Sequence, residues 1–141
     1  MIDKIIEFFK SIRGTRDIPS PQNWIPKDNI KIVNSAGTLT INDLPYPSFA
    51  IQVADTKSMD GALDSNHTVI ITSNPEYLDR ADIGDVVIYD IKVKMIIHQI
   101  VSKGEDEKGE YFKCKGWNNA SVDSYKVRRE DIKYVSLSII W

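Results

Sequence analysis

From Ile30 to the C-terminus the chain is a succession of short β-forming runs, each closed off by turn residues, and this pattern most constrains the fold. Ile30–Val33 and Thr38–Ile41 flank the turn-like Asn34-Ser35-Ala36-Gly37. Ser48–Val53, Thr68–Thr72, Val86–Tyr89, Lys94–Val101, Tyr111–Lys115, Ile132–Tyr134 and Leu137–Ile140 follow. Ser73-Asn74-Pro75 and the stretch from Gly104 to Gly109 read as turns. Short strands with little helix between them argue for a mainly β domain, a coiled, partly open antiparallel sheet.

The segment before these runs differs. Over residues 1–13, Ile2, Ile5, Ile6, Phe9 and Ile12 recur at helical spacing, with Asp3, Lys4, Glu7 and Lys10 elsewhere around the helix. This predicts one N-terminal amphipathic helix, packed on its own domain, on a partner protein or at a membrane surface. Few basic residues line its polar side, which weakens the membrane option. Residues 14–29 carry Pro19, Pro21 and Pro26 among polar residues and read as a linker or extended arm. Residues 30–141 form the β domain.

Composition narrows the function classes. With 141 residues the chain suits one domain that folds without a disulfide or metal staple. Eighteen Lys and Arg against twenty Asp and Glu argue against a basic nucleic-acid surface. Lys126, Arg128 and Arg129 make the one local basic cluster, which reads as a solvated face. The single cysteine, Cys114, excludes an internal disulfide and a thiolate zinc site. His67 and His98 have no metal-ligand spacing, so neither a metal nor another cofactor is expected. No apolar run approaches the roughly 20 residues that cross a bilayer. The N-terminus is broken by charges and does not read as a secretory signal. These signs, with the lone cysteine, point to a cytoplasmic protein; the N-terminal helix leaves peripheral membrane association open.

Candidate chemistry rests on order rather than on single residues. A nucleophilic serine needs a base within hydrogen-bond reach, and a histidine serves near neutral pH. From Ser58 the chain reads SMDGAL, TVIIT, ADIGDVVIYD, MIIHQIV, YFKCKGWNNASVD and DIKYV. This succession resembles the signal peptidase and SOS-repressor-type serine peptidase superfamily over about residues 50–135. The Ser-Met pair, the Gly84–Val87 strand, the base on a later strand and the Lys-Gly-x-Asn-Asn turn with a downstream Asp carry the likeness. It is nearest to the archaeal and endoplasmic-reticulum signal peptidases, whose base is His in a His-Arg-Ile/Val setting; here that reads His98-Gln99-Ile100-Val101.

The resemblance implies Ser58 as acyl-forming nucleophile, His98 as general base and Asp123 as the residue that orients it. It implies the Ser58 backbone N–H and Thr56 as oxyanion donors, with Met59 beneath the site at the substrate groove. Four positions depart from the family pattern. Lys57 stands for Gly or Asp, Gly61 for Pro, Gln99 for Arg and Trp117 for Asp. The expected activity is that of an endopeptidase without a membrane anchor, cleaving an extended peptide or, as SOS-repressor-type members do, its own chain at Ala36-Gly37. The alternative is a peptidase-like domain without catalysis, a docking module using the N-terminal helix, the arm and the C-terminal Trp141.

Overall fold

The computed structural model describes residues 2–5 and 19–141. Residues 2–5 are helical, with Ile2 and Ile5 exposed; the remainder of the expected helix and residues 14–18 of the arm lie outside the described residues. The described chain is mainly β, built of open antiparallel sheets.

A small hairpin comes first. β1 (Ile30–Val33) and β2 (Thr38–Ile41) pair in register from Ile30↔Ile41 to Val33↔Thr38, across the turn predicted at Asn34–Gly37. The remaining strands form a six-stranded sheet: β3 (Ser48–Gln52), β4 (Thr68–Thr72), β5 (Val86–Asp90), β6 (Met95–Asp106), β7 (Gly109–Lys115) and β8 (Ile132–Ile140). Their order is β3-β4-β8-β5-β6-β7, and every neighbour is antiparallel. β3 and β7 are the edge strands; among the described residues β3 pairs with β4 alone, while Phe112 of β7 also bridges to Val127.

Alternation along the central strands sorts their side chains onto two apolar clusters. Val87 and Tyr89 join Ile70, Ile100, Phe112, Val127 and Val135 on one face, while Val86 and Ile88 join Met59, Leu63, Val69 and Ile71 on the other. A strand buried on both faces reads as an unbroken apolar run, as Val86–Tyr89 does. Register shifts at Ile70/Ile71, Ile88/Tyr89 and Ile100/Ser102 are bulges, which sharpen the coil of the sheet.

Three features differ from the sequence expectation. Ser73-Asn74-Pro75 starts the short helix Pro75–Arg80; the Asn74 side chain caps it by accepting from Glu76 N at 3.0 Å, with Pro at the start of the helix. β6 and β7 extend through the presumed turn residues and leave only Glu107-Lys108 between them. Gly104 survives inside β6 because the ring of its cross-strand partner Tyr111 lies over it, where a Cβ would otherwise stand. Finally, Ile132–Tyr134 and Leu137–Ile140 are one strand, β8, with bulges that take up the irregular pattern.

Residues 19–24 lie against the sheet. Asp85, fully buried, accepts from Gln22 N (2.9 Å), Gln22 Nε2 (2.6 Å), Trp24 Nε1 (3.1 Å) and Asp82 N (3.0 Å). Gly84, at φ +102°, faces the Ser20 carbonyl so closely that no side chain fits. Trp24 is buried beside Tyr77, with Arg80 over its ring. Arg129 closes this end by donating to the carbonyls of Leu78, Asp79 and Ala81, at the end of the short helix.

Candidate active site

β3 leads into a turn at Ser58, and β6 carries His98 next to the point where β7 begins to pair. That pairing starts at Gln99↔Lys115, so Met95–His98 are laddered to β5 alone. An open groove of about 830 Å³ lies here, lined by Phe49–Ala54, Thr56, Ser58, Lys94–His98 and Asp123, among others. Its walls are mainly apolar.

The expected nucleophile and base share this groove. The Ser58 hydroxyl lies 3.1 Å from the Thr56 hydroxyl. His98, 6 % exposed, sets Nδ1 2.6 Å from Asp123 Oδ2. Where the carboxylate accepts, Nδ1 is the donor, and in a neutral imidazole the lone pair is then on Nε2. Gly116 locates that nitrogen. A Cβ built there would fall 2.8 Å from His98 Nε2 and 2.5 Å from the Ser58 carbonyl oxygen. The imidazole and the Ser58 turn therefore both border the space that one methyl group would fill. Among the described residues, Ser58 Oγ pairs with Thr56 rather than with His98, and the Ser58 N–H has no acceptor. Catalytic hydrogen bonds are often loose before substrate arrives.

The turn after β7 holds the Ser58 turn in place. Asn118 N donates to Ser58 O at 2.9 Å, Asn118 Nδ2 to Lys57 O at 3.0 Å, and Trp117 N to Met59 Sδ at 3.5 Å. Met59 is thus a buried core residue under the turn and forms no part of the groove wall, because its side chain fills the cluster with Leu63 and Val69. Lys57 takes φ +64°, a left-handed conformation that costs a side-chain-bearing residue about 1–2 kcal/mol. Its ammonium pairs with Asp55 at 2.9 Å, which raises its pKa, and it does not line the groove. Gly61 has φ +100°, a value closed to the proline that the family pattern places there.

Other candidates fall into structural roles. His67 Nδ1 accepts from Asp64 N at 3.0 Å within its own turn. No group of His, Cys, Asp and Glu among the described residues could hold a metal. Lys126 and Arg128 both pair with Asp106, and Arg129 with Glu110. Trp141 is largely exposed, its indole N–H donating to Ala62 O at 2.5 Å. Cys114 is buried behind Asp123, and burial pushes its thiol up to about 12.

Sequence reasoning missed three participants. Asn118 clamps the nucleophile turn, Gly116 leaves room for the imidazole, and Tyr89 donates to Asp123 Oδ2 at 2.7 Å. The Gly-Trp-Asn-Asn run marked the first two as a turn; nothing local linked Tyr89 to a residue 34 positions away. No family model, curated protein or solved structure matches this chain. No helix among the described residues is long and apolar enough to cross a membrane.

Proposed function

We propose that this chain is a serine endopeptidase of the signal-peptidase and SOS-repressor type, cleaving an extended peptide by acyl transfer. Ser58 Oγ attacks the scissile carbonyl while His98 Nε2 takes its proton. The Ser58 N–H and the Thr56 hydroxyl receive the charge that develops on the carbonyl oxygen. Nε2 then returns the proton to the leaving amine, and water releases the acyl group by the same route. The observation that supports this most is the setting of His98, with Nδ1 on Asp123 and Nε2 across from the Ser58 turn, beside an open groove.

The substrate would lie along β3 as an added strand, since among the described residues β3 is an open sheet edge and borders the groove. A peptide in trans fits better than the chain's own Ala36-Gly37. That pair sits in the β1–β2 turn and does not line the groove, so cutting it would first require unzipping the hairpin.

Intact-mass spectrometry tests the reading. The protein and its Ser58→Ala variant are incubated near pH 8 with unstructured peptides containing Ala-x-Ala and Ala-Gly sites. Fragments that form with the parent and not with the variant are expected. Identical uncut spectra from two folded proteins would overturn catalysis and leave a docking groove.

A further inference from the structure

We infer that Tyr89 is a positioning residue of this site, fixing Asp123 so that Asp123 can fix His98. The inference rests on the peptidase reading for its purpose, although its geometry stands apart from it. Tyr89 is fully buried on β5, and its ring packs in the cluster of Val87, Ile100 and Phe112. Phenylalanine would serve that packing equally well. The hydroxyl is the one polar part of the residue, and a buried phenol needs a partner. It has Asp123 Oδ2, at 2.7 Å, the same oxygen that meets His98 Nδ1 at 2.6 Å.

Register explains the meeting. Val87 pairs with His98 and Tyr89 with Ile96, so Tyr89 and His98 are diagonal neighbours on one face of the β5–β6 ladder. Asp123 arrives from outside the sheet, on irregular chain between β7 and β8, tied by its N–H to Cys114 O at 2.9 Å. A carboxylate on such a segment needs a second tether to keep its plane. Tyr89 supplies it from β5, a strand paired on both sides. Burial, then the hydrogen bond to Asp123, holds the phenol far above its ordinary value, so it stays a donor wherever the protein is folded.

The ionisable groups on the elements next to His98 are Tyr89 on β5, Cys114 and Lys115 on β7, Asp123, the Lys57–Asp55 pair of the nucleophile turn, and Lys94 just before its own strand. Among the described residues only Asp123 bonds to the imidazole.

The test is an NMR titration of the histidine ring protons in the parent, Tyr89→Phe and Asp123→Asn proteins, with His67 as internal reference. Losing the phenol leaves more charge for His98, so Tyr89→Phe should raise the His98 midpoint by about 0.5–1 pH unit, whereas Asp123→Asn should lower it. Tyr89→Phe should also cut kcat about 10-fold with KM unchanged. If Tyr89→Phe titrates like the parent while Asp123→Asn shifts, Tyr89 merely packs and the inference is overturned. If neither variant shifts His98, the His98–Asp123 pairing fails and takes the inference with it. If both shift as expected and the parent cuts no peptide, the positioning role is supported and the peptidase reading falls.

Discussion

The indole Nε1 of Trp117 donates to the side-chain oxygen of Gln99 at 3.0 Å. These are two of the four positions that depart from the pattern the chain resembles, which has Asp and Arg there. The amide nitrogen of Gln99 donates in turn to Pro19 O at 2.7 Å and Gly84 O at 2.8 Å. An arginine could not accept from the indole, and an aspartate could not donate to the glutamine oxygen. Trp117 and Gln99 thus form one neutral hydrogen-bonded pair. It joins Pro19 to the turn that clamps Ser58.

That pairing should be visible in a double-mutant cycle. Trp117→Asp and Gln99→Arg, made singly, each leave a lone charge beside buried groups and should cost about 2–4 kcal/mol. Together they restore a pair, and the double variant should recover at least about 1 kcal/mol of the summed loss. Urea unfolding measures all three; strict additivity would mean that the positions are independent.

Gly116→Ala should separate the base from the nucleophile turn. Its φ is outside the left-handed range, so the added methyl acts only through space, against Ser58 O, Asn119 Nδ2 and His98 Nε2. Two of those neighbours cannot yield without moving the site. Peptide cleavage should fall about 100-fold, since a displacement near 1 Å is enough, while stability drops by only about 1–3 kcal/mol. Equal cleavage by parent and variant would show that the two sides of the groove move freely.

Asp85→Asn should loosen residues 19–24. All four hydrogen bonds on the Asp85 carboxylate are donated to it, and an amide would turn an NH₂ towards two of the donors. The expected cost is about 2–4 kcal/mol. Limited proteolysis should then cut near Gln22 and Trp24 before it attacks the sheet; unchanged resistance there would place the anchor elsewhere.

The β6–β7 ribbon should respond to acid through Asp106. Arg128 first, then Lys126, holds that carboxyl well below the usual carboxylate range. A depressed folded value stabilises the protein above the unfolded value, and that contribution is lost as the pH falls through the folded one. Asp106→Asn should therefore lower the thermal midpoint at pH 7, and the gap from the parent should close as the pH drops below the ordinary carboxylate range. A gap that stays constant through that range would assign the effect to something other than this charge.

The residues themselves determined the strands. Alternating and β-branched runs bounded by Gly, Pro and Asn place nearly every ladder, because those preferences act within a few residues. The order of Ser58, His98 and Asp123 was legible too, as spacing against a known pattern. Short-range signals failed where a neighbour from far along the chain decides. β8 runs unbroken because its bulges against β4 and β5 absorb its irregular pattern. The support of the site is of this second kind. Tyr89 reaches Asp123 across 34 residues, Trp117 reaches Gln99 across 18 and Asp85 gathers donors 61 and 63 residues away. A buried polar group announces that it needs a partner; only the packing of the sheet determines which one it meets.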